Sequence, residues 1–194
     1  MRTPALLLLT GALLAGAVVP AQAQTQTQTQ PEATLAAALQ DKAALGQARL
    51  RVWGFQVYDA TLYARAGFDA LRFAEQRFAL ELAYLRAFEG GDIAKRSIDE
   101  MRGLASIDEA TATRWLAAMQ RLFPDVKAGD RITGVHVPGS GARFYLNGRL
   151  LGAVDDDAFS RLFFGIWLSP RTSQPAMRET LLQALTTPPA PAGR

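Results

Sequence analysis

Arg49 and Arg51, at alternate positions and followed by Trp53, are the side chains whose types and spacing most suggest recognition of another molecule. They lie in Gly46-Gln-Ala-Arg-Leu-Arg-Val-Trp-Gly-Phe-Gln-Val-Tyr-Asp-Ala-Thr-Leu-Tyr63, which reads as two strand-like runs turning at Gly54. Successive strand side chains point to opposite faces, so Arg49, Arg51 and Trp53 share one face while Leu50 and Val52 take the other. Two guanidinium groups beside an indole could receive an anionic, partly apolar ligand. The same side chains could equally form a solvated outer face.

Other chemistry is excluded or explained more simply. The chain has no cysteine, which removes disulfides, thiolate catalysis and cysteine metal sites together. His136 is the only histidine, so neither a histidine metal site nor a Ser-His pair is expected. Asp155, Asp156 and Asp157 invite a calcium or magnesium reading, but the alternating ligands, central glycine and terminal glutamate of an EF-hand are missing. Helix capping and dipole complementation account for them. Asp92, Asp99, Glu100, Asp108 and Glu109 read as first-turn and surface carboxylates, not as a catalytic pair. No metal and no cofactor are expected. The net charge is +3, with basic residues scattered among acidic ones, which argues against a nucleic-acid partner.

The ends of the chain read as separate from its fold. Arg2, the apolar run Ala5 to Val19 and the small-x-small sequence Ala21-Gln22-Ala23 form a signal peptide over residues 1–23. The run is too short for a comfortable membrane span, and no cysteine follows it to be acylated. Export to the periplasm is the expectation, with no stable membrane insertion once the signal is cleaved. Residues 24–31 are a Gln-Thr leader closed by Pro31, too polar to offset its own ordering entropy, and the Pro-rich residues 187–194 form a second disordered tail. Between them, residues 32–186 suit one domain with a sizeable core.

Within that domain, Glu32 to Ala44 reads as a short helix, and Leu45 to Trp53 and Phe55 to Ala64 as a hairpin. Phe78 to Tyr84 is a strand whose Phe78, Leu80, Leu82 and Tyr84 should face the core. Asp92 is a natural N-cap for a helix from Ile93 to about Arg102. Ser106 and Glu109 fit a capping box for the next helix, which stops before Pro124. Arg131 to Val137, Ala142 to Leu146 and Arg149 to Val154 are strands, the last two joined by Asn147-Gly148, a strong hairpin signal. Helices follow from Ala158 to Trp167 and, capped by Ser173 with Pro175 in its first turn, from Ala176 to Leu185. About six strands in antiparallel hairpins, with helices in blocks, indicate an α+β fold with helices on one side of the sheet.

In these blocks the chain resembles the bacterial, exported chalcone isomerase-like proteins. The resemblance rests on Gly46-Gln-Ala-Arg-Leu-Arg with Gly54-Phe-Gln-Val-Tyr-Asp-Ala-Thr-Leu-Tyr63, on Leu122-Phe-Pro-Asp-Val-Lys-Ala-Gly-Asp-Arg131 and on Phe144-Tyr-Leu-Asn-Gly-Arg-Leu-Leu-Gly152. Ala158-Phe-Ser-Arg-Leu-Phe-Phe-Gly-Ile-Trp-Leu-Ser-Pro170 completes it. It implies an open-faced β-sandwich, a large antiparallel sheet packed against a helical layer. The plant enzyme of that superfamily closes a chalcone into a flavanone using an arginine, a threonine, a tyrosine and an asparagine. Carried over, the arginine falls at Arg49 or Arg51 and the threonine near Tyr58. The tyrosine and asparagine fall around Gly90-Gly91 and Ser97, where neither residue type is present.

A cleft lacking two such donors should be a weak catalyst, because they hold the developing charge through the transition state. Non-catalytic relatives bind fatty acids, with arginine and tyrosine on the carboxylate. The resemblance therefore implies a cleft in which Arg49 or Arg51, with Tyr58, holds a small amphipathic acid, and Phe78, Phe144, Phe159, Phe163, Phe164 and Trp167 supply apolar lining or ordinary core. The alternatives are an intramolecular lyase or isomerase acting on an enone, and a ligand-free envelope interaction protein. The spacing leaves open which arginine faces the cleft, and the sequence fixes no oligomeric state. Mass spectrometry of the mature protein should find a chain beginning at Gln24; an intact Met1 or retention in the membrane after a salt wash contradicts export with cleavage.

Overall fold

A computed structural model of the protein describes residues 34–186. The expected signal peptide (residues 1–23), the expected leader (24–31) and the expected Pro-rich tail (187–194) lie outside the described residues. A short helix α1 (Leu35–Leu39) precedes strands β1 (Ala43–Val52), β2 (Phe55–Ala64) and β3 (Phe78–Tyr84), with a 3-10 turn (Ala70–Glu75) between the last two. Helices α2 (Gly90–Leu104) and α3 (Glu109–Leu122) follow, then β4 (Arg131–Val137), β5 (Gly141–Leu146) and β6 (Arg149–Val154), and finally α4 (Asp157–Leu168) and α5 (Pro175–Thr186). The strands form one six-stranded antiparallel sheet in the order β1-β2-β3-β4-β5-β6. The α+β class and the large antiparallel sheet against a helical layer are as expected.

The strand patterns explain the layering. Ala60, Leu62 and Ala64 of β2 and Phe78, Leu80, Leu82 and Tyr84 of β3 are buried in the same core cluster as the rings of α4. At the centre Phe144 lies 5.0 Å from Phe123 and 5.1 Å from Phe163 between ring centroids, both edge to face, a favoured geometry for ring quadrupoles. His136 is also core. Its ring nitrogens lie 2.7 Å from Ser160 Oγ and 2.9 Å from the Ala74 carbonyl oxygen, and burial lowers its pKa. On the opposite face α1 covers only a small cluster, in which Ala38 packs with Ala79, Val135 and Tyr145.

Several helix starts differ from expectation. α1 is shorter than Glu32 to Ala44, because β1 already begins at Ala43. Helix α2 starts at Gly90, where the backbone N–H donates to Asp125 Oδ1 at 2.9 Å; Asp92 is a first-turn residue and not the cap. Asp108, not Ser106, caps α3 by accepting from the Thr111 N–H. The Ser173 hydroxyl donates to Glu100 Oε2, and Thr172 Oγ1 accepts the Gln174 N–H just ahead of α5. Of the three adjacent aspartates, Asp156 caps α4 through the Phe159 N–H and takes the Trp115 indole N–H at 2.8 Å. Asp157 receives the Gly139 N–H at 2.9 Å.

Helix α5 packs directly on β1. A Cβ placed at Gly46 would stand 1.9 Å from the Leu181 carbonyl oxygen, a backbone atom that cannot turn aside. Gly46→Ala should therefore separate α5 from β1 and cost about 1–3 kcal/mol, the range for overpacking a fitted site. Chemical denaturation measures this, and an unchanged midpoint contradicts the close approach.

Candidate functional site: a cavity between the sheet and helices α2, α4 and α5

At the β1–β3 end of the sheet the helices frame the inner face without filling it. The space left is a cavity of about 720 Å³. Its floor is Leu50, Val57, Tyr58, Leu82, Tyr84 and Ile132 from the sheet, and its roof includes Phe163, Ile166, Trp167 and Met177. One wall is a single face of α2, with Asp92, Ile93, Arg96, Ser97 and Glu100 at helical spacing. Val52, Trp53 and Phe55 of the β1–β2 hairpin, with Arg86 and Phe88, form its mouth.

A bulge decides which β2 residues reach this space. Leu50 pairs with Tyr58 but Arg51 pairs with Gln56, so Val57 is an extra residue in β2. Without it Gln56 would share the inner face with Tyr58. With it, Phe55 turns to the mouth and Gln56 turns outward. There its Oε1 accepts from Arg49 Nη1 at 2.7 Å, while Arg49 Nε and Nη2 donate to both oxygens of Asp59 at 2.6 and 2.7 Å. The hydrogen bonds from Arg49 hold the Asp59 carboxyl below its usual range, against some desolvation. Arg49 is thus spent on a bidentate pair on the outer face. Arg51 is exposed on that same side, and neither arginine lines the cavity. Of the three expected site residues only Tyr58 is brought to it.

The cations of the cavity come from elsewhere. Arg86, Arg96 and Arg178 line it, against the carboxylates of Asp92 and Glu100, leaving one positive charge in excess. Arg96 Nη2 donates to Glu100 Oε1, whose other oxygen accepts from Ser173 Oγ at 2.7 Å. Arg178 Nε donates to the Leu168 carbonyl at 2.7 Å, and the Arg86 guanidinium lies 5.3 Å from the centroid of the Phe55 ring. Ser97 lines the cavity, but its hydroxyl donates to the Ile93 carbonyl at 2.8 Å.

Two phenols stand between these groups and the apolar floor. Tyr58 and Tyr84 lie edge to face with ring centroids 6.0 Å apart. The Trp167 indole N–H donates to Tyr58 Oη at 2.9 Å, so the Tyr58 hydroxyl accepts and keeps its own proton to donate. Among the described residues neither phenol has an acceptor for its O–H. Burial raises both pKa values well above the ordinary phenol value, so both remain neutral donors. Tyr84, read from the sequence as core only, is a site residue that alternation alone could not separate from the leucines beside it. Asp92, Arg96 and Glu100 at four-residue spacing were the signal for the α2 face. The apolar stripe divides as well: Phe163 and Trp167 reach the cavity, whereas Phe78, Phe144, Phe159 and Phe164 are fully buried core.

Residues 24–183 match the sequence profile of the chalcone isomerase-like family. The chain belongs to that family. A protein of Haemophilus influenzae (strain ATCC 51907 / DSM 11121 / KW20 / Rd), described only as uncharacterized, is 30% identical over 131 residues. That match covers 67% of this chain and 63% of the relative, so the chain spans rather less than two thirds of its length. Among solved structures, an Arabidopsis thaliana fatty-acid binding protein superposes with a TM-score of 0.59 at 14% identity, covering 74% of this chain and 88% of that one. This likeness establishes the chalcone isomerase-like fold.

Within that fold Gly90 cannot carry a side chain of any kind, since a Cβ there would lie 2.0 Å from the Phe123 carbonyl oxygen. The raised phenol pKa values give a pH dependence. An unfolded tyrosine ionises near pH ~10, so stability is unaffected by Tyr58 and Tyr84 ionisation below that pH and is lost progressively as pH rises from there through their raised folded-state values. Thermal midpoints should fall above pH ~10 more steeply for the parent than for Tyr58→Phe. Parallel curves for the two proteins contradict a buried, neutral Tyr58.

Proposed function

We propose that this protein is a non-catalytic, exported binding module for a small amphipathic acid such as a fatty acid, held between sheet and helices. The observation that carries the reading is the pair of unspent phenol donors, Tyr58 and Tyr84, in a largely apolar cavity with Arg96 alongside. Buried donors are ordinarily satisfied, and a carboxylate accepts several hydrogen bonds at once. Arg96 keeps N–H groups beyond the one on Glu100, and a guanidinium can bridge two carboxylates. The tail would run over Leu82, Phe123, Ile132, Phe163 and Met177. The volume lies within the range of small-molecule sites, and the fold likeness to a fatty-acid binding protein agrees with the ligand class. Export is supported by the Ala5 to Val19 run and the Ala21-Gln22-Ala23 cleavage pattern.

The enone isomerase alternative has less support. Neither a tyrosine nor an asparagine stands at Gly90-Gly91 or Ser97; Gly90 has no room for a side chain although Gly91 does, and Ser97 uses its proton on Ile93. A ligand-free envelope interaction protein gives no reason for the open cavity or its unpaired phenols.

Titration of the purified protein with saturated fatty acids tests the reading. Each added methylene should tighten binding about fourfold, the equivalent of ~0.8 kcal/mol, until the tail outgrows the cavity. Charge-assisted hydrogen bonds contribute about 1.5–3 kcal/mol, so Tyr84→Phe and Arg96→Gln should each weaken binding roughly tenfold to a hundredfold. Arg49→Ala should leave it unchanged. No saturable binding, or a loss confined to Arg49→Ala, overturns the proposal.

A further inference from the structure

Three large apolar side chains cluster at the tip of the β1–β2 hairpin: Val52, 39% exposed, Trp53, 94%, and Phe55, 62%. Neither packing nor turn geometry accounts for Trp53. The two-residue turns of the β1–β2 and β5–β6 hairpins have nearly the same φ values, 49° and 83° at Trp53-Gly54 and 50° and 84° at Asn147-Gly148. Such turns favour asparagine or glycine at the first position, because a bulky side chain is strained at positive φ. The β5–β6 hairpin has the favoured residue, and its Asn147 Nδ2 also donates to Asp130 Oδ1 at 3.0 Å. The β1–β2 hairpin instead holds an indole in an unfavourable conformation and exposes nearly all of it. Strain kept without an internal contact points to a partner outside the chain.

The surroundings indicate the chemistry of that partner. Arg51 is next to the tip in sequence, and Arg86 lies against the Phe55 ring. Neither forms an ion pair among the described residues, and the nearby Asp59 is already held by Arg49. The carboxylates of the same cavity lining are Asp92 and Glu100, and Glu100 is paired with Arg96. An apolar wedge led by an indole and flanked by unpaired guanidiniums suits the headgroup region of an anionic bilayer, where tryptophan and basic residues both settle. A second copy of the chain suits it less, since a two-fold contact through the tips would bring like arginines together.

We propose that the β1–β2 hairpin tip docks the protein on an anionic phospholipid surface. Trp53 and Phe55 enter the headgroup–acyl boundary, Arg51 and Arg86 meet lipid phosphates, and the cavity mouth opens at the membrane. Docking stands on the tip alone; passage of an amphipathic acid between bilayer and cavity rests on the binding function proposed above.

The test is sedimentation with vesicles of phosphatidylglycerol and phosphatidylcholine, compared with phosphatidylcholine alone. Every variant is compared with the parent in the same form of the chain, so any contribution of residues 1–33 is common to all. The parent should sediment with the anionic vesicles, and less so as salt is raised. Trp53→Asn, which installs the residue the turn prefers, should keep or raise the thermal midpoint and weaken vesicle binding roughly tenfold or more. Arg51→Gln and Arg86→Gln should each weaken it about fivefold on the anionic vesicles alone. Undiminished vesicle binding by Trp53→Asn overturns docking through the tip. So does a concentration-dependent dimer that Trp53→Asn abolishes in a protein that ignores vesicles. A vesicle-free fatty-acid titration of the parent protein separates the two proposals: saturable binding there keeps the cavity's function even where docking fails.

Discussion

At the cavity a hydrogen bond ties the helical layer to the sheet, from the Trp167 indole on α4 to the Tyr58 hydroxyl on β2, at 2.9 Å. It sets the separation of the helical layer from the sheet at the point where packing stops. It also fixes the direction of the Tyr58 phenol. The oxygen is occupied as an acceptor and the proton is left to donate, so the residue that ties sheet to helix also offers a donor within the cavity. A net contribution of about 1 kcal/mol is typical for such a bond. Its larger effect is positional.

The division of labour across the sheet follows from the same region. On the outer face, charges are matched at the surface: Arg49 with Asp59 and Gln56, and Arg131 with Glu81 beside Thr133. On the inner face, charges are fewer and come mostly from helices, with Arg96 and Glu100 paired along α2 and Arg178 tied to the end of α4, while Arg86 comes from the loop after β3. The Val57 bulge separates the two systems by turning Gln56 out to Arg49 and Phe55 toward the mouth. A one-residue change of register in β2 would exchange them, since side chains alternate between faces.

The fold was largely legible in the sequence because its determinants are local. The alternation of Phe78 to Tyr84, the Asn147-Gly148 turn and the apolar face of α4 each specify an element, and the bounds of β2, β3, β4 and β6 follow from such patterns. Helix starts were less legible. At Asp92 and Ser106 a good capping residue stood near the helix, but Glu89 and Asp108 held the backbone positions that mattered. The site was legible only in part. Alternation placed Arg49 and Arg51 opposite Leu50 and Val52, and left both a ligand face and a solvated face open; which face the helices would cover depends on packing between distant elements. Tyr58 reached the cavity, whereas Tyr84, Arg96 and Arg178 acquire their meaning only where β3, α2 and α5 converge.

The central claim is that an acid head group is held by Tyr58, Tyr84 and Arg96 on the inner face. The most direct measurement is NMR of the protein bound to palmitate labelled with carbon-13 at the carboxyl and C2 positions. The account predicts contacts from the labelled C2 protons to the ring protons of Tyr58 and Tyr84, and a carboxyl resonance that titrates well below that of free palmitate, as expected beside donors and a guanidinium. Contacts to residues around Arg49 and Asp59, or a carboxyl that titrates as it does in solution, would contradict it.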